Sequence, residues 1–243
     1  MDILECHYGS CPAGDSGDLL GHISVGQHVR GVLRVENTLS GSISIGGDCS
    51  GSVLVQDDLA GACDISGSLN GAVTVNDNLS GMLAVDGACT GDVAVHGDVT
   101  GSVTMGGQLT STGRILVDET CSGLINVRNA TAILSTIRIS NGLTSTGEIR
   151  VSDIPGLSSP SRGTIHVGST APSFPLPPVV FDGRIRIDPT GTNEWEGTIN
   201  VVGCHETFEP LDICICGADR GTIILIQDDC TQPVTVACGG TCP

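Results

Sequence analysis

The densest set of residues able to do chemistry lies between positions 166 and 206, where His166, Asp182, Arg184, Arg186, Glu194, Glu196, His205 and Glu206 fall together. Two carboxylates at fixed separation could divide acid and base roles in cleaving a glycosidic bond, as some β-helical lyases and hydrolases do with polysaccharides. No pair here, however, has a spacing that sets its own geometry. Glu194, Trp195 and Glu196 read more simply as a loop, and the arginines as balance for neighbouring acids. His22, His28 and His96 stand singly at outer or turn positions. The expectation is a chain that is not an enzyme.

Cation binding is the second chemistry in view. Asp57 and Asp77 recur twenty residues apart, and Asp58 is followed at the same interval by Asn78 and Asp98. Stacked, these side chains would form an acidic ladder with the oxygen ligands that calcium takes. The competing account is a row of solvated turns, because Asp and Asn bond their own backbone there. The GGxGxDxUx pattern of calcium-binding RTX rolls is absent. No cofactor is expected, with calcium the candidate kept in view.

The third chemistry belongs to twelve cysteines. Eight lie in two terminal groups, Cys6 and Cys11, then Cys204, Cys214, Cys216, Cys230, Cys238 and Cys242. An even terminal count fits disulfides in an oxidising compartment, with the pairing open and Cys6–Cys11 the simplest local choice. Zinc fits less well, since Cys214 and Cys216 are closer than a C-x₂₋₄-C knuckle and His205 beside Cys204 supplies no distal pair. Cys49, Cys63, Cys89 and Cys121 occupy apolar slots and read as buried thiols.

What must position all of these is a repeat. Gly21, Gly31, Gly41, Gly51, Gly61, Gly71, Gly81, Gly91 and Gly101 recur every ten residues. From two residues before each glycine the unit reads L-x-G-x-I-x-V plus three turn residues, as in LSGSISIGGD at 39–48. Its apolar slots share one parity, so they line one face of a pleated strand, and β-branched residues fill them. The turn triplets alternate: Gln27, Gly47, Gly67, Gly87 and Gly107 in odd units, Asn37, Asp57, Asp77 and Gly97 in even ones. That alternation predicts two corners and therefore two decapeptides per structural period.

A single decapeptide could not close around three inward aliphatic side chains, because its perimeter would be only ~33 Å at about 3.3 Å per residue. Two strands across a thin core do fit, stacking coil on coil at about 4.8 Å. The prediction is an all-β, parallel β-solenoid. An antiparallel β-meander is the alternative, since three-residue connections can close hairpins. It would leave one apolar face bare, whereas a solenoid encloses its own core.

The motif continues less regularly as G-R-I-L-V at 113–117, G-L-I-N-V at 123–127, S-T-I-R-I at 135–139, G-E-I-R-V at 147–151, G-T-I-H-V at 163–167, G-R-I-R-I at 183–187, G-T-I-N-V at 197–201 and G-T-I-I-L at 221–225. One continuous domain is expected: an N-terminal cap at 1–18, a regular solenoid at 19–110, a solenoid with enlarged loops at 111–201 and a Cys-rich cap at 202–243. Loops inserted in a solenoid gather on one side, where binding usually resides. Phe174, Phe181 and Trp195 are the candidate contacts there. Asn78-Leu-Ser80 and Asn129-Ala-Thr131 are candidate glycosylation sequons.

Charge narrows the partners. A net charge of −17 argues against nucleic acid. All ten basic residues are arginine, which excludes Schiff-base and P-loop lysine chemistry. No apolar run is long enough to span a bilayer. The opening MDILECHYGS lacks a signal peptide's basic and apolar regions, so the expected extracellular or cell-surface location implies that the numbering starts after processing or that the natural N-terminus is missing. Threonine-ladder ice binding is not expected, since the outward slots from Ser24 to Thr104 alternate irregularly.

The decapeptides GSISIGGDCS, GAVTVNDNLS and GDVAVHGDVT resemble the repeats of large bacterial surface and adhesin-like β-solenoid proteins, strongly over about 19–151 and loosely beyond. That resemblance implies stalks, adhesive rods or fibre-forming modules, and transfers no catalytic residue. The expectation is a structural extracellular protein whose partners are copies of itself, a fibre or surface-layer subunit. The alternative is an adhesin or carbohydrate-binding module that takes surface glycans.

Overall fold

The computed structural model describes residues 18–128, 131–152, 162–168, 180–188, 194–202, 212–215, 218–219, 221–226 and 235–238. Strands of four residues recur from His22–Val25 to Ser102–Met105. Each pairs in parallel with the next strand but one. Ile23 lies beside Ile43, Ile43 beside Cys63, Cys63 beside Leu83 and Leu83 beside Val103. Leu33, Val53, Val73, Val93 and Ile115 form the matching row of the second sheet. Odd units thus build a ten-stranded sheet and even units a nine-stranded one. One coil is two decapeptides, as the alternating turns require. The meander is excluded, because it would pair consecutive strands antiparallel.

Burial follows the pleat. Strands such as Ser42–Ile45 and Ala72–Val75 alternate half-exposed and buried residues, and the buried ones join one continuous core between the sheets. The residue two before each glycine adds a third inward position. Leu19, Leu39, Leu59, Leu79 and Val99 stack at one corner, and Val29, Cys49, Leu69, Cys89 and Leu109 at the other. Aliphatic side chains thus fill each coil from three sides, and the hydrophobic effect acts along the whole stack rather than within any single unit.

The motif glycines are explained by contact between coils. A Cβ built on Gly61, Gly71 or Gly91 would lie 1.8, 1.7 and 1.7 Å from the backbone oxygen of Gly41, Gly51 and Gly71. The corner glycines obey the same rule: a Cβ on Gly67 or Gly87 would lie 2.5 and 2.6 Å from the carbonyl carbon one coil back. Conformational freedom is not the reason, since the positive-φ glycines among the described residues are Gly142, Gly163 and Gly168. Close approach is what excludes a side chain.

Beyond residue 110 the coils lengthen; the nine-stranded sheet shifts register between Thr131 and Thr136, while the ten-stranded sheet keeps its own. Ser102 pairs with Leu124, Leu124 with Glu148 and Glu148 with Arg184, while Val103, Ile125, Ile149, Ile185 and Ile213 continue one inward row and Val236 pairs beside Ile213. Asp212–Ile215, Thr222–Ile226 and Thr235–Cys238 extend the same two sheets, so the segment expected as a cap itself contributes coils. The insertions at 152–162 and 168–182 lie largely outside the described residues.

Candidate functional site

The two corners carry most of the structured polar chemistry, and it runs from coil to coil. Asp58 Oδ1 accepts the Asn78 amide at 3.0 Å, Asn78 Oδ1 accepts the Asp98 amide at 2.9 Å, and Asp98 Oδ1 accepts the Thr120 amide at 2.9 Å and its hydroxyl at 2.6 Å. The other corner repeats the device: His28 Nδ1 accepts the Asp48 amide, and Asp48 Oδ1 the Ser68 amide, each at 2.8 Å. The expected bonds to a turn's own backbone are replaced by bonds to the next coil. A corner amide has no strand partner on that side, and the side chain of the preceding coil is the nearest acceptor.

This ladder reframes the calcium candidates. Carboxylate oxygens of Asp57, Asp58 and Asp77 do lie within 4.8 Å of one another. Calcium takes about six to eight oxygens, so the cluster offers roughly half a shell. Asp58 also accepts from the Asn78 amide and side chain, and Asp98 is engaged with Thr120. The Asn78 side-chain amide, the glycosylation candidate, donates to Asp58 at 3.1 Å. Asn129 lies outside the described residues.

Asp98→Ala is expected to strand the half-buried Thr120 amide and lower stability by about 1–2 kcal/mol, whereas Asp98→Asn, which keeps the acceptor, should cost less than half of that. Urea unfolding of the two variants checks the order. Equal losses would contradict the ladder.

Among the described residues the acid–base candidates are spread over both sheets. Arg184 and Arg186 are on the strand Arg184–Asp188 of the ten-stranded sheet, while His166 is on Arg162–Val167 of the nine-stranded sheet, beside Arg138 and Asn200. Glu196 accepts from Arg162 Nε at 2.7 Å and pairs with its Nη2 at 2.5 Å, linking successive coils. Glu194 begins the short strand Glu194–Trp195. His205 and Glu206 lie outside the described residues.

Trp195 requires a correction. It is 0 % exposed, so its ring offers no face to a glycan. A Cβ on Gly197 would lie 2.3 Å from Trp195 Cζ2, and one on Gly221 would lie 2.5 Å from its Cδ1, so the indole fills the space those glycines leave. Trp195-Glu-Gly197-Thr-Ile199-Asn-Val201 is itself the L-x-G-x-I-x-V unit, with tryptophan in the leucine slot. Phe181-Asp-Gly183-Arg-Ile185-Arg-Ile187 matches the unit too, and Phe181 continues the row Val99, Cys121, Leu143. The template was the signal that identifies both as repeat positions. Phe174 lies outside the described residues.

Cys49, Cys63, Cys89 and Cys121 are free and buried, and Cys49 and Cys89 share a row with Leu69 between them. Burial pushes the Cys63 thiol up to about 12 and the Cys89 and Cys121 thiols to about 11, and it raises Cys49 as well. The unfolded chain ionises these thiols near pH 9 and the folded chain does not, so folded protein binds more protons above that pH. Stability should therefore be unaffected by them below about pH 9 and fall as pH rises from there toward 11–12. Alkylation at pH 8 read by peptide mass mapping should leave all four unmodified in folded protein and modify them after denaturation. Rapid labelling of the folded chain would contradict their placement.

Of the terminal cysteines, Cys214 is buried. Cys238 ends the strand Thr235–Cys238, and Cys6, Cys11, Cys204, Cys216, Cys230 and Cys242 lie outside the described residues. Among the described residues no helix is long and apolar enough to cross a membrane. Comparison of the chain with protein families, with characterised proteins and with solved structures finds no match.

Proposed function

We infer that this chain is a structural, extracellular protein that assembles with copies of itself into a fibre or surface layer. The observation that carries the reading is a pair of parallel sheets that stack coil on coil through the described residues. The first and last strands of each sheet present one unpaired side among the described residues. The polar side chains that recur along the stack tie coil to coil, which suits a rod. Its decapeptides resemble those of bacterial surface solenoids, and the terminal cysteines fit disulfides in an oxidising compartment.

Sedimentation velocity of the native chain over a hundredfold concentration range tests this reading. Species that grow with concentration are expected. A single monomeric boundary throughout would overturn it.

A further inference from the structure

A groove of about 150 Å³ opens at the corner that carries Val29, Cys49 and Leu69, and the residues lining it are all polar: His28, Arg30, Asp48, Ser50 and Asn70. The repeat explains the hollow. Arg30, Ser50 and Asn70 each follow one of those three stacked residues and are exposed one above another, so a short serine between two long side chains leaves a dip. His28 and Asp48 stand beside them, each side chain 48 % exposed, and the groove is open to solvent.

The hydrogen bonds between coils fix what each group still offers. The Asp48 backbone N–H can only donate, so His28 Nδ1, which receives it at 2.8 Å, carries the lone pair and the proton of the neutral ring is on Nε2. Asp48 Oδ1 takes the Ser68 amide at 2.8 Å, while Oδ2 stands 3.7 Å from the His28 nitrogen, whose lone pair cannot donate to it. Asn70 Oδ1 takes the Thr90 hydroxyl at 3.0 Å, which leaves its amide hydrogens for the groove. Among the described residues Arg30 makes no hydrogen bond or ion pair. A carboxylate oxygen is thus set among the N–H donors of Arg30, His28 and Asn70.

That combination selects a class of ligand. Asp48 repels an anion, Arg30 repels a cation, and no apolar wall is present to receive a hydrocarbon. A neutral molecule whose adjacent hydroxyls both donate and accept satisfies both groups at once. At roughly 30 Å³ per water the space holds about five waters, the room of one ring rather than a chain. We propose that this groove binds a single neutral sugar through a vicinal diol, one hydroxyl donating to Asp48 Oδ2 and the oxygens accepting from Arg30, His28 Nε2 and Asn70 Nδ2. One chain supplies all of these groups, so the site does not depend on self-assembly.

The diol could belong to a free sugar or to the terminal unit of a glycan. Saturation-transfer difference NMR of the native chain with glucose, galactose, mannose and fucose reads the first source, and an array carrying the same sugars at glycan termini reads the second. Binding in at least one arm is expected, with a dissociation constant on the order of 1 mM for a free sugar. Asp48→Asn keeps the oxygen that accepts the Ser68 amide and loses the second acceptor, and Arg30→Gln loses the charged donor. Each should weaken binding about tenfold or more at an unchanged melting temperature. Should either melt early, Asn70→Asp keeps the acceptor for Thr90, removes the donated amide and should weaken binding likewise. Asp64→Asn, on the outer face of the ten-stranded sheet, should bind as the parent does. Silence in both arms, or equal binding by the parent and the groove variants, would overturn the site. Inorganic sulfate or phosphate binding there more tightly than any sugar would overturn the diol in favour of an anion.

Discussion

Gly71→Ala is expected to destabilise the folded chain by about 3 kcal/mol or more, the upper range for overpacking. The new Cβ would stand 1.7 Å from Gly51 O, and its next neighbours, Gly51 C at 2.8 Å and Ser50 C at 2.9 Å, are also backbone. A flexible side chain could swing away, but here the coils themselves would have to part by more than an ångström to restore an ordinary carbon–oxygen contact of about 3.3 Å. Such a shift would break the bonds that join them: Asn70 and Gly71 amides to Cys49 O at 2.8 and 3.0 Å, and the Ala72 amide to Gly51 O at 3.1 Å. Stability in a linear array is carried by contacts between neighbours, so damage at one interface divides the rod. Proteolysis should appear near residue 71, and thermal unfolding should broaden or split. Gly21→Ala is the matched control, because a Cβ at the same motif position there would meet nothing within 4 Å. A Gly71→Ala chain within about 0.5 kcal/mol of the parent would contradict the inter-coil account of the repeat.

Trp195→Ala should produce the second large loss, about 3–5 kcal/mol, as expected for deleting a buried indole. The ring is at 0 % exposure and lies against Gly197 and Gly221 on two successive coils, so alanine would leave a cavity bounded by backbone that cannot collapse to fill it. Trp195→Leu restores the residue type that most units hold at this slot and should recover part of the loss. Chemical denaturation of both variants measures it. A glycan-contact role would instead leave stability intact and remove binding, so an unchanged unfolding midpoint for Trp195→Ala would restore the ligand reading.

The fold was legible because its determinants are periodic. Leu39, Ile43 and Ile45 repeat as a pattern that only a strand with one buried face explains, and the alternation between Gly67 and Asp77 marked the two corners of a coil. The corner chemistry was legible as composition but not as connectivity. Asp98 is a turn residue by type, yet its partner is Thr120, a coil away, and only the coil-on-coil register makes that amide the nearer donor. The aromatics misled for a physical reason. Rings look too large for a thin core until Gly197 and Gly221 are seen to vacate the volume that Trp195 fills. Glu196 has no catalytic pattern in the sequence and finds an arginine, Arg162, on the preceding coil.

Electron cryomicroscopy of concentrated native protein tests the central claim most directly. Assembly along the stack predicts unbranched filaments one solenoid wide, with strands running across the axis throughout at a spacing of ~4.8 Å. Dispersed monomers at every concentration, or sheets joined side by side without axial continuity of the strands, would contradict it.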